Sequence, residues 1–211
     1  MDLRSAIDNG QFYSLPFTDL LRLVRDEYPS ELERLKTAYS IPVQSKTSPS
    51  EPSPSQILYN NDYDEINRTL VGLSMLRKIH DGDYAGFAGG QQPAAQRLRE
   101  SSFAWTRSLF QLGLTTSDDL YTLITSFIIS DLGKSPTLAE DLQRETTIEI
   151  GSQTKPNHDL ILYLVVRHAP HLIPCLDRVP SSHREILIRS IEFGAIFNFG
   201  QMAQAECLKE S

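Results

Sequence analysis

The chain has 211 residues, 40% of them hydrophobic, and a formal net charge of −7. That is enough apolar material for one buried core with some decoration, and too little for two full domains. The acidic balance, with no run of lysines and arginines, excludes an electrostatic footprint for nucleic acid and disfavours anionic membrane surfaces. Met1–Asp8 lacks the apolar core of a secretory signal. No apolar stretch reaches the about 18 residues of a membrane span, so a cytoplasmic protein is expected. The two cysteines, Cys175 and Cys207, stand outside any Cys-x-x-Cys or zinc-finger spacing.

In chain order, residues 1–43 read as an N-terminal helical arm. Phe17, Leu20, Leu21, Val24 and Tyr28 recur at helical spacing, and Ser30 with Glu33 has the pattern of a capping box opening a second helix through Tyr39. Residues 44–57 form a Ser/Pro-rich loop with too few apolar groups to offset ordering. Residues 58–211 read as a helical body. Ile66, Leu70, Leu73 and Leu76 mark one helix, followed by a glycine-rich loop from Ile79 to Pro93. A helix over about 94–112 offers Leu98, Trp105, Leu109 and Leu112 for packing. Ser117 caps the next, with Leu120, Leu123, Ile124, Phe127 and Ile128 on one stripe. Pro136 suits the first position of a further helix, and Thr146–Ile150 reads as a short extended piece. Asn157 caps a helix carrying Leu160, Ile161, Leu164 and Val165, and Pro170 opens a short one. Ser182 and Glu185 form a second capping box before a C-terminal helix over about 183–207. The chain lacks useful alternation of β-branched residues, so the fold class is all-α.

The chemistry concentrates at the end of the most apolar helix, in Ser130-Asp131-Leu132-Gly133-Lys134. Asp131 continues the buried stripe, where burial favours the neutral acid and Lys134 favours the anion. A carboxylate under such opposed influences suits general acid/base work. The bland alternative is a helix-end turn with an exposed ion pair. His158 and Asp159 open a later apolar helix, and histidine titrates near neutrality. On the last helix, Gly194 and Gly200 make a small face that would permit close approach. Asn198 lies on it with Gln201 one turn away, amides fit to orient a substrate oxygen. Trp105 is a candidate pocket wall. Candidate catalytic residues are therefore Asp131, His158 and Lys134, and candidate substrate contacts are Asn198, Gln201, Ser130, Asp159 and Trp105.

The run Ser130-Asp131-Leu132-Gly133-Lys134 also resembles the His-Asp-Leu-Gly-Lys signature of the HD-domain superfamily, across about residues 95–206. The resemblance implies an HD-like helical bundle, and in most members a metal-dependent phosphohydrolase. Here Ser130 replaces the histidine of the pair, the helix over 94–112 has no histidine, and Asn198 stands where a downstream aspartate belongs. These departures imply that the usual metal is lost and that no cofactor is required. The expected function is a metal-independent enzyme of specialised metabolism, a cyclase, isomerase or lyase acting on a small, largely apolar molecule. A phosphohydrolase with an altered metal site, or a non-catalytic interaction module able to form a homodimer, are the alternatives. On the enzyme reading, Asp131→Asn would cost rate while leaving the fold intact, and Asp131 and Asn198 would meet in one pocket.

Overall fold

The computed structural model describes residues 1–38, 65–89, 97–151 and 157–196. Every regular element among them is helical, so the fold class is all-α. In chain order the α-helices are α1 (Leu3–Asp8), α2 (Phe17–Glu27), α3 (Pro29–Lys36), α4 (Glu65–Asp81), α5 (Tyr84–Ala88), α6 (Glu100–Gly113), α7 (Ser117–Ile129), α8 (Pro136–Glu145), α9 (His158–His168) and α10 (Ser181–Ile196). Short 3-10 turns lie at Leu132–Lys134, Pro170–Leu172 and Pro174–Arg178. No helix among the described residues is long and apolar enough to cross a membrane.

The centre of the molecule is α7. Its Leu120, Ile124 and Ile128 are buried at i, i+4 and i+8, and Tyr121, Thr125 and Ile129 broaden the stripe. That face meets α1, α3, α4 and α10. The helix starts on Thr116, one residue before the expected cap. The Thr116 hydroxyl accepts from Asp119 N, and the Asp119 carboxylate returns a bond to Thr116 N at 2.8 Å. On the far side, α9 packs along α10.

The first 38 residues are built into this core. Leu3, Ile7, Phe12, Leu20, Val24, Tyr28, Leu32 and Leu35 join the same apolar cluster as the stripe of α7. Each such burial contributes about 1.5–3 kcal/mol, so the segment read as an arm carries a large share of the core. Polar bonds then fix its angle. Tyr28 Oη shares a hydrogen bond with Thr125 Oγ1 at 2.8 Å, and Tyr121 Oη donates to Glu27 Oε1 at 2.7 Å. Burial lifts the Tyr121 phenol to about 12, so it remains a donor throughout the neutral range. Buried Glu31 accepts from Cys175 N at 2.8 Å, giving a carboxylate to the turn at Pro174–Arg178.

Several local expectations shift. Helix α3 starts with Pro29 at its first position and has no side-chain cap, so Ser30 and Glu33 lie inside it. Part of the glycine-rich stretch is helical: Asp83 caps α5, accepting from Gly86 N at 2.8 Å. On α6 it is Phe103 that is buried, while Trp105, Leu109 and Leu112 face solvent. Ile148 and Ile150 pack on the core without forming a strand. The Ser/Pro-rich loop lies outside the described residues.

His183, at the start of α10, joins that helix to the cap of α7 through Asp119 Oδ1 at 3.0 Å. This contact, with help from Thr116, holds the Asp119 carboxyl below the usual carboxylate range. A depressed folded value contributes stability above the unfolded value of about 4, and that contribution disappears as pH falls through the folded one. His183→Gln is therefore expected to be less stable than the wild type at pH 7, with the gap closing below pH ~3. Urea midpoints of both proteins at the two pH values check this.

Candidate functional site

The buried stripe of α7 runs out at Ser130, and the chain turns through Leu132–Lys134 before α8 begins. Lys134 N donates to Asp131 O at 3.0 Å and Ser135 N to Leu132 O at 2.9 Å, closing the turn. Leu132 plugs into the core, which pulls its neighbours inward. Lys134 Nζ meets Asp131 Oδ1 at 2.8 Å, with the two side chains only 6% and 13% exposed. This is a buried ion pair, and the exposed helix-end pair considered from sequence is thereby corrected.

Helix α9 presents its first residue to that pair. Asn157 caps it, accepting from Leu160 N at 3.0 Å, and Asp159 sits in the positive first turn. His158 Nε2 lies 3.7 Å from Asp131 Oδ1 and 3.4 Å from Asp159 Oδ1. At 22% exposure the imidazole is the member of the cluster that solvent reaches most easily after Asp159. Gly133 makes the approach possible, because a Cβ there would stand 1.8 Å from the His158 carbonyl oxygen.

The arrangement brings two carboxylates, one ammonium and one imidazole to the rim of the core. With a proton on the imidazole, the four charges sum to zero. Ser135 adds a buried hydroxyl below the cluster, sharing hydrogen bonds with Thr37 at 3.0 Å and Thr137 at 2.9 Å. Nearby, Arg34 pairs with Asp141 at 2.8 Å and ties α3 to α8.

The family of unknown function DUF6829 matches residues 21–211. The chain belongs to that family. No curated protein matches it, and no solved structure does. The DUF6829 match spans all of the cluster at Asp131, Lys134, His158 and Asp159.

Within this DUF6829 chain, four of the sequence-derived site residues come together: Asp131, Lys134, His158 and Asp159. Two do not. Ser130 is exposed and its hydroxyl donates back to Phe127 O at 2.9 Å, a bond within its own helix end. Trp105 is 65% exposed on α6, so it lines no wall of this cluster. Asn198 and Gln201 lie outside the described residues. Among the described residues no close approach is made at Gly194, where a Cβ would meet none of them within 4 Å. The tight glycine is Gly133, whose place in the run next to Lys134 was the available signal. Among the described residues, no group of three His, Cys, Asp or Glu side chains is placed to hold a metal ion.

Proposed function

We propose that this protein is an acid/base enzyme on an HD-like helical bundle, acting without a metal on a small, largely apolar molecule. His158 Nε2 exchanges the proton with the substrate. Asp159 and Asp131 face the imidazole and stabilise its charged form, and Lys134 compensates Asp131. The reaction class is cyclisation, isomerisation or elimination, in which a proton leaves one substrate atom and is returned to another or to solvent. One observation carries the reading: a partly exposed imidazole faces two carboxylates, Asp159 and Asp131, the second of which is in a buried ion pair with Lys134. A core that needed only stability would gain little there, because a buried ion pair is often no better than an apolar pair of equal volume.

His158→Asn tests it, since it removes the titrating ring and leaves the buried pair alone. Loss of a positioned general base is expected to lower turnover about 10²–10⁴-fold. The readout is the metabolite profile of a host deleted for the gene. Wild-type protein restores the profile, and His158→Asn at equal folded abundance does not. Full restoration by the variant removes His158 from the mechanism.

A further inference from the structure

A separate cleft of about 360 Å³ opens between the loop after α1 and the C-terminal ends of α4 and α6. Tyr13, Ile79, His80, Arg107, Phe110, Gln111 and Leu114 line it, none of them a member of the Asp131 cluster. We propose that this cleft binds a small organic monocarboxylate with a flat or compact apolar body.

Three walls support that ligand class. The first is flat: the His80 imidazole stacks on the Tyr13 ring at 3.5 Å between centroids and 7° between planes. Asp81 holds His80 from the side, Oδ1 to Nδ1 at 2.9 Å, and Arg77 donates to Tyr13 O, so both rings are oriented. The second wall is apolar, made by Ile79, Phe110 and Leu114. The third is cationic. Arg107 donates Nε to His80 O at 3.3 Å, and no carboxylate among the described residues pairs with its guanidinium.

Gly82 makes room for that guanidinium. It ends α4 with φ +71°, and a Cβ there would lie 3.1 Å from Arg107 Cζ. A planar guanidinium with nitrogens to spare binds a carboxylate through two parallel hydrogen bonds. Gln111 adds an amide at the mouth. Arg107, the one cation of the described lining without a carboxylate partner, and the nearby Asp81 carboxylate favour a monoanion over a phosphate dianion. The volume lies at the small end of ligand pockets, which run from about 300 to 1,000 Å³.

The test is calorimetric titration of the full-length chain with 1-naphthoate, cyclohexanecarboxylate, 1-naphthamide and inorganic phosphate. Saturable one-to-one binding of the two carboxylates is expected, with 1-naphthamide and phosphate at least about tenfold weaker. Arg107→Gln should lose about tenfold or more of the naphthoate affinity, and Arg107→Lys should recover part of it. Gln111→Trp, at an exposed position, fills the mouth and should block naphthoate with the fold unchanged by circular dichroism. His158→Asn should bind naphthoate like the wild type, which separates this site from the proposed acid/base centre. Absence of saturable carboxylate binding, equal binding of the amide or phosphate, or unchanged affinity in folded Arg107→Gln and Gln111→Trp overturns the assignment.

Discussion

Asp131→Asn is expected to destabilise the protein by about 3–5 kcal/mol, the usual cost of removing one partner from a buried ion pair. The reason is Lys134. Its ammonium lies 2.8 Å from the Asp131 carboxylate with the side chain 6% exposed. A neutral amide leaves that charge at the rim of the core without its carboxylate. An exposed pair would cost at most about 1 kcal/mol, so the magnitude alone distinguishes the two environments. The double variant Asp131→Asn/Lys134→Met should recover most of the loss, because an apolar side chain replaces a buried ammonium that has lost this carboxylate. Urea denaturation of the two variants and the wild type decides the matter. A single variant as stable as the wild type would mean that Lys134 reaches solvent when Asp131 is gone. The expectation from sequence that this substitution spares the fold is thus replaced. Lost activity in Asp131→Asn would report unfolding as readily as chemistry, whereas His158→Asn leaves the ion pair in place.

What was legible in the sequence follows the strength of each local signal. The stripe of α7 is legible at Leu120, Ile124 and Ile128, but an apolar run does not fix its edges: Tyr121, Thr125 and Ile129 share the buried face, whereas Leu123 and Phe127 are only partly buried. Asn157 and Pro136 act where their chemistry places them, one accepting from Leu160 N and the other at the first position of α8. Helix α6 shows the limit of periodicity. It carries more than one plausible stripe, and spacing alone does not say that Phe103 turns inward while Trp105 and Leu112 turn out. At α3 a capping pattern competed with Pro29, which already has the φ of a first helical residue and no N–H to satisfy. His158 was singled out only as a titrating residue at the start of an apolar helix, and the burial of Lys134 had no signal, because long cationic side chains usually reach water. The cleft at Arg107 had no signal, since Tyr13, His80 and Arg107 meet only through tertiary packing.

Gly133→Ala is expected to cost about 3 kcal/mol or more, at the upper end of what overpacking does. A Cβ at this position would sit 1.8 Å from the His158 carbonyl oxygen, 2.7 Å from its carbon and 3.1 Å from Leu162 N. All three atoms are backbone, so no side-chain rotation relieves the clash. Helix α9 would have to withdraw, and it is anchored by Ile161, Leu162, Val165 and Val166 and by its packing on α10. The penalty is steric and not conformational, because Gly133 is not among the glycines of positive φ. Gly194→Ala is the matching control. A Cβ there meets none of the described residues within 4 Å, and alanine in a helix interior gains about 0.5–1 kcal/mol over glycine. Thermal or urea unfolding of the two variants should therefore move in opposite directions. In a Gly133→Ala protein that still folds, the withdrawal of α9 would also pull His158 from Asp131, so on the proposed acid/base mechanism turnover should fall with stability. If Gly133→Ala matches the wild type in stability, α9 does not press against the turn, and the geometry assigned to the Asp131 and His158 cluster is wrong.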